Sequence, residues 1–493
     1  MTPILLASLI ILPLLLILLC RKSRKTHGPP GPPGLPFIGN LHQFDTHNPH
    51  VYLWRLSCKY GPLMSMKFGS IPVLIVSSPK MAKEVLKTND LTFSSRPKLT
   101  GQAKLSYDRL DIAFAPYTES WRELRKICVV HLLSNKHVQS FRPVREEEVS
   151  RMIEYLSGKA GSGQAIDLSE TLLTLTSTLI CKVAFGKMEG FERRKFDELM
   201  IEAQVMQTGF SFLSDYLPWF GWVDRMRGLV GRLDKVCKDF DEFYEEIIRE
   251  RLGSGRGGLE KDPNILDLLI RLKEEGSCSI DLTWNHVKAI LMNIFVAGSE
   301  PSVATIVWTM TALLKNPAIM TKLQKHIREI VGDKGKVNED DLPNLHFLKA
   351  VIKESLRLYP PTPLLIPRET LDKCTINGYS IPPRTLVYIN AWAIARDPEY
   401  WENPDEFRPE RFLDTNIDIV GQNFEVIPFG SGRRGCPGMA MGLVTVEILL
   451  ANLLYSFDWE LPSGMKKEDV DTEVLPGITM HKKNPLCLVP RQV

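Results

Sequence analysis

The chain has no Cys-x-x-Cys pair and no cysteine spaced with histidine as a zinc site requires, although nine cysteines are scattered along it. An odd, unpatterned set fits a reducing, cytosol-facing compartment better than a disulfide framework. No glycine-rich dinucleotide fingerprint follows a strand-like run, so a nicotinamide or flavin domain of its own is not expected. Internal repeats and low-complexity tracts are missing too, which leaves nothing to divide the 493 residues. Charge of one sign is also scarce. The 61 basic and 58 acidic residues leave a net +3, with no basic block interleaved with aromatics, and that argues against nucleic acid as a partner.

At 44% hydrophobic, the chain can bury one large core. Pro3–Cys20 carries no charge and is almost wholly aliphatic, just long enough to approach the roughly 20 residues that span a bilayer. Arg21, Lys22, Arg24 and Lys25 follow at once and, by the positive-inside rule, hold the rest of the chain in the cytosol. A cleaved signal peptide would place its positive charge before the apolar run, so an uncleaved single-pass anchor over residues 1–20 is expected. Residues 21–36 then read as a basic stop-transfer signal and a semi-rigid proline-rich spacer, with a single large domain over 37–493.

Ten residues near the C-terminus organise the rest: Phe429-Gly430-Ser431-Gly432-Arg433-Arg434-Gly435-Cys436-Pro437-Gly438. Met439–Phe457 reads as a buried helix, so Cys436 lies at a helix N-terminus, where free N–H groups favour a thiolate. Taken alone, the turn could equally hold a buried core cysteine. Its five fixed positions resemble the cysteine loop of the cytochrome P450 family. The resemblance implies a mainly α fold with small β-sheets and haem (heme b) as cofactor. It makes Cys436 the axial thiolate of the iron and Arg434 a propionate partner, with Phe429 and Gly438 framing the loop. The spacer also resembles the hinge of microsomal members, which implies an endoplasmic reticulum membrane location with the catalytic domain facing the cytosol.

Other segments fall in the family's order. Val73–Ser77 reads as a short strand, Ser94–Tyr117 as a long loop, and Glu146–Phe185 as helical. Trp121 and Arg125 share one helix face, either as a surface pair or, by resemblance, against a haem propionate. Phe210–Val223 is rich in aromatics but interrupted by Asp215, Pro218 and Gly221. It reads as a loop between helices and, by resemblance, as a lid over the substrate channel. Gly253–Pro263 reads as a connector.

Asp281–Lys315 is a long helical pattern with Ala297-Gly298-Ser299-Glu300 at its centre. By resemblance this is the oxygen-binding segment, where a small pair opens room above the iron and a threonine follows. Here that position is Pro301. Proline removes a backbone donor and clashes with the carbonyl of Ala297, so a kink is expected. It also supplies no hydroxyl, so protons must come from Glu300, Ser302, water or the substrate. Two outcomes stay open: ordinary hydroxylation, or a less usual oxidation such as phenol coupling or ring closure.

Glu354 and Arg357 share a helix face, and Pro409-Glu410-Arg411-Phe412 follows; together they resemble the family's buried Glu-x-x-Arg/Arg lock. Pro363–Pro367 reads as an extended pocket wall. By resemblance, Arg368 reaches a propionate and Gly477-Ile478-Thr479-Met480 closes the pocket. Phe210, Phe212, Ser299, Pro301, Leu364, Leu365, Ile366 and Ile478 are the expected substrate contacts, suited to a small apolar or aromatic molecule.

The reading is a haem-thiolate monooxygenase of the plant microsomal branch that uses O2, with membrane lipid around its anchor. With no flavin domain of its own, it needs electrons from an NADPH-cytochrome reductase. Two alternatives are a reductase-independent isomerase or dehydratase, and a non-catalytic haem carrier.

Overall fold

A computed structural model describes residues 28–186, 193–253, 263–413 and 415–493. The expected anchor and most of the connector after Gly253 lie outside the described residues.

Helices dominate. In chain order the ones that matter are α1 (Pro49–Tyr60), α2 (Glu119–Lys126), α3 (Arg142–Ala160), α4 (Leu168–Phe185), α5 (Arg193–Met206), α6 (Leu229–Gly253), α7 (Trp284–Lys315), α8 (His346–Leu358) and α9 (Met439–Ser456). Strands are short: β1 (Leu63–Phe68), β2 (Ile71–Val76), β3 (Ile166–Asp167), β4 (Arg368–Glu369), β5 (Leu386–Ile389), β6 (Phe457–Glu460), β7 (Val474–Leu475), β8 (His481–Lys482) and β9 (Cys487–Gln492). The largest sheet runs β1-β2-β5-β4, with β2 and β5 parallel, and β9 joins β3 to β6 in a second.

The organising element is α7. Thr283 caps it in a reciprocal box with His286, so it starts three residues later than its apolar pattern suggests. It is buried almost all round, as suits a helix through the middle of a core. One apolar cluster packs its C-terminal half against α3, α8 and α9, and another packs its N-terminal half against α4, α5 and α6. Among the described residues three helices (α4, α7 and α9) are long and apolar enough to cross a membrane, but most of each is buried inside the protein.

Several segments differ from their sequence-based expectation. The helix expected over 146–185 is two, because the Gly161–Gly163 turn ends α3 and Asp167 caps α4 through the Glu170 amide. The long loop after Ser94 contains a helical turn, Thr100–Leu105, held at its start by Asp215, which accepts the Thr100 N–H at 2.9 Å. The proline-rich stretch is no free spacer from Pro29 onward. Pro29 and Pro30 carbonyls accept the Ser65 hydroxyl and amide, and Asn40 Nδ2 donates to Pro32, so it lies along β1.

Candidate active site around Cys436

The cysteine loop is shaped by its backbone. Cys436 N–H donates to Phe429 O at 2.9 Å, and the Gly432–Arg434 3-10 turn closes through Gly435 N–H to Gly432 O. Gly432 has φ +72°, and a Cβ there would meet Asp90 Oδ1 at 2.5 Å, so only glycine serves. Gly438 then becomes the N-cap of α9. The Cys436 side chain is exposed, opening into a cleft of about 420 Å3 that Phe429, Arg125 and Met439 also line. The protein enclosing that cleft raises the thiol's pKa, while the Gly438 N–H and Arg125 pull it down. The thiol is open to the cleft yet hemmed in by protein mass.

Around this loop four arginines converge. Arg434, buried, donates to the carbonyls of Ser94 at 2.7 Å, Ala115 at 2.7 Å and Ile112 at 3.3 Å. Its guanidinium lies 3.8 Å from the Trp121 ring, whose Nε1 donates to the same Ile112 carbonyl at 3.0 Å. Arg125 donates to Gly435 O at 2.5 Å, and Arg368 donates to Ser431 O at 3.0 Å. The fourth, Arg96, was not foreseen. It is buried and donates to the carbonyls of Ala113, Ile366 and Pro367. Only its place in Ser94-Ser95-Arg96-Pro97, inside a loop rich in small and polar residues, hinted at it.

Burial lowers the pKa of each. Arg368 falls to about 10, and Arg434 falls to about 9 with Arg368 adding repulsion. Arg96 is pushed well down by burial and then by Arg434 and Arg368. The buried carboxylates nearby are Asp111, held by Asn293 and the Phe114 amide, and Asp90, shared between Arg433 at 2.6 Å and Arg368 at 3.5 Å. A buried excess of guanidinium charge beside an accessible thiol suits a soft metal centre in a dianionic frame. Haem b, with iron and two propionates, fits that donor set.

The central helix faces this cluster through Asn293, whose Oδ1 accepts the Ile112 amide at 3.1 Å. One turn on, Ala297 is exposed although the helix around it is buried, which marks an interior opening. Gly298 does not open room there. A Cβ on it would meet Ile180 Cδ1 at 2.8 Å, so glycine lets α4 approach. Ser299 donates back to Phe295 O at 2.8 Å and Ser302 to Gly298 O at 3.2 Å. Ser302, five residues after Ala297, points about 140° away from the opening. Pro301 remains inside a continuous helix, and by lacking an N–H it leaves the Ala297 carbonyl without its usual donor.

A second cavity of about 230 Å3 brings together Phe210, Leu364, Leu365 and Ile478 with Tyr388 and Met480. Phe212, Ile366, Ser299 and Pro301 do not line it. Phe212 is turned into the helical core because Asp224 accepts the Leu213 and Ser214 amides and fixes the turn that follows. Nor is Pro363–Pro367 extended. Leu365 has φ +51° in a turn closed by its amide to Thr362 O.

Behind the loop, Glu354 and Arg357 are both 0% exposed and meet at 2.7 and 2.8 Å in a two-pronged pair. Arg357 also donates to the carbonyls of Ala395, Pro404 and Glu406, and Arg411 Nε stands 3.3 Å from Glu354. The lock is a hydrogen-bonded hub for the irregular 395–411 stretch.

The cytochrome P450 family profile matches residues 29–489. This chain belongs to the cytochrome P450 family. It is 48% identical to 6,7,8-trihydroxycoumarin synthase of Pastinaca sativa over 93% of this chain and 92% of the relative. Strychnine-11-hydroxylase of Strychnos nux-vomica is 48% identical over 92% and 89% of the two chains. Cytochrome P450 71A1 of Persea americana is 47% identical over 92% and 91%. A zebra fish cytochrome P450 solved with progesterone superposes with a TM-score of 0.76 at 26% identity, covering 90% of this chain and 99% of that one. This P450 is therefore a haem-dependent oxidoreductase of the monooxygenase class, on a mainly helical fold with small sheets.

Proposed function

We propose that this P450 is a membrane-bound monooxygenase that oxidises a small apolar or aromatic metabolite, with electrons from an NADPH-cytochrome reductase. The observation that carries this reading is the accessible Cys436 thiol set beside the buried Arg96, Arg368 and Arg434. Cys436 would be the axial ligand. Those arginines, with Arg125 and Trp121, would hold the propionates. When bound, haem b supplies the oxidising chemistry at a thiolate-ligated iron. The protein's own share is orientation and proton control. Phe210, Leu364, Leu365 and Ile478 would hold an apolar ring, and Glu300 would handle protons. The relatives' named products and substrate, a trihydroxycoumarin and strychnine, make plant specialised metabolism the natural setting.

Membrane association is supported at one edge of the molecule. Trp219 is 88% exposed, Trp222, Met226 and Phe37 are also exposed, and Phe44 packs on Phe210 at 4.7 Å, so these segments are neighbours. Such an apolar edge suits the interface beside an endoplasmic reticulum anchor.

The deciding experiment is the reduced carbon-monoxide difference spectrum of the wild type beside Cys436→Ala. A strongly red-shifted Soret band, lost in the variant, is expected. A histidine-like band or absent haem would overturn the reading. One observation favours a second chemistry: Ser302 points away from the opening and gives its proton to Gly298 O, and Pro301 brings no hydroxyl there. Phenol coupling or ring closure, in which the substrate brings its own hydroxyl, would suit this site. Product mixtures of simple hydroxylated species with tight coupling would exclude it.

A further inference from the structure

Glu300 lies three residues after Ala297 and so on the same side of α7 as the opening. Its Oε2 is 2.5 Å from His481 Nε2, a close polar contact without the in-line geometry of a hydrogen bond. Its other oxygen, Oε1, is buried and has no hydrogen-bond partner among the described residues. The two side chains differ in access to water: Glu300 is 5% exposed and His481 24%. The pair therefore runs from solvent to the interior.

The strand that brings His481 is fixed over the helix. Trp308 Nε1 donates to Met480 O at 2.7 Å, and the Trp308 ring stacks on Tyr359 at 4.8 Å. Thr479 Oγ1 donates to Gln204 Oε1 at 3.4 Å, and β8 pairs with β7, His481 opposite Leu475. The other charged groups near His481 are matched with one another, Lys482 to Asp471 and Lys483 to Glu473, both at 2.6 Å. On α7 the imidazole faces one carboxylate, Glu300.

We propose that His481 is a positioning residue that hands protons from solvent to Glu300, taking over from the C-terminal strand the role of the hydroxyl that Pro301 denies the helix. The inference rests on the monooxygenase reading. The imidazole gains a proton from water at Nδ1 and gives the Nε2 proton to Oε2; it then swings out to water, which protonates Nε2 and takes the Nδ1 proton back, restoring the starting tautomer. One proton enters and one leaves, and Glu300 is the last side chain to hold it before the opening. For the transfer the ring must turn until its Nε2–H points along the line to Oε2, which brings the contact to ordinary hydrogen-bond geometry.

The test uses the full-length, haem-loaded protein. In its diamagnetic ferrous–carbonyl form, selectively 15N-labelled histidines report the ring tautomers, with His481 assigned from His481→Gln. A proton fixed on Nε2 in the wild type, and a mixed tautomer in Glu300→Ala, are expected; an unchanged tautomer overturns the contact. In turnover, His481→Gln and Glu300→Gln should each raise peroxide released per NADPH at least threefold and enlarge the solvent deuterium isotope effect, with KM unchanged. The double variant should be no worse than either single one. Pro301→Thr should restore coupling in the His481→Gln background, which a merely structural defect would not allow. Wild-type coupling in Glu300→Gln, or additive losses, overturn the proposal. Should His481→Gln fail to fold, His481→Asn and Glu300→Gln decide it. A wild type without the thiolate spectrum would sink the functional reading itself, so the two failures are distinguishable.

Discussion

Arg434 sits over Trp121, 3.8 Å from its ring, and both donate to the carbonyl of Ile112. Cation, aromatic face and a shared acceptor thus form one unit two residues from the cysteine. Trp121→Phe keeps the ring and loses the indole donor, with an expected loss of about 1 kcal/mol in urea unfolding. Trp121→Ala also opens a cavity and should cost about 3–5 kcal/mol, with faster haem release in a transfer assay. Equal effects of the two variants would mean that the ring itself contributes nothing.

Glu354→Ala leaves Arg357 buried without its carboxylate, a change worth about 3–5 kcal/mol. Loss of a cooperative unfolding transition and of the red-shifted Soret band is expected. Glu410→Ala is the control, since its partner Lys322 is half exposed and such a pair contributes about 0–1 kcal/mol.

Gly298→Ala should destabilise by about 0.5–2 kcal/mol, because the new methyl meets Ile180 Cδ1, a loss that alanine's better helix propensity offsets by up to about 1 kcal/mol. Val lacks that atom, so Ile180→Val in the same chain should recover most of the loss. A double-mutant cycle of melting temperatures checks it, and simple additivity would refute the packing role.

His50 is buried and its pKa is lowered to about 4, by burial first and by Arg396 second. The unfolded chain binds a proton near pH 6.5 and the folded one does not, so stability is present above that value and lost as pH falls toward 4. Between pH 7 and pH 5 the loss from this group is about 2 kcal/mol. His50→Phe should shrink the pH dependence of the urea midpoint by that amount while keeping a ring beside Trp392.

Lys87 and Arg125 flank the Cys436 cleft, with exposed Arg122 and Lys126 on the same short helix as Arg125. Reductase-supported turnover should therefore weaken as salt rises from about 0.05 to 0.5 M, while substrate binding by difference spectroscopy stays level. Salt-independent turnover would exclude docking on this face.

The cysteine loop was legible because its chemistry demands particular residues in consecutive positions: glycine where φ is positive at 432, a thiol at 436. The Glu354–Arg357 pair was legible from helical spacing. Arg96 was not, because its acceptors, the carbonyls of Ala113, Ile366 and Pro367, are brought to it from distant stretches and carry no side-chain signature. Gly298 was read as space for a ligand, when what it adjoins is Ile180 of another helix. Phe212 failed for a related reason: aromatic content marks burial, and only the Asp224 cap decides which side of the turn is buried. The partner of Glu300 was hidden by the 180 residues of chain between them.

The strap of prolines along β1 has a mechanical consequence. With Pro29 already fixed to Ser65, a bilayer anchor ending at Cys20 leaves only residues 21–28 as a leash, with a reach of about 29 Å at full stretch. The catalytic body would be kept within that distance of the bilayer and would meet a similarly tethered reductase by lateral drift. The rate of first encounter would then depend on surface density rather than on volume concentration, and lengthening the leash would slow electron delivery without altering a single contact at the Cys436 cleft.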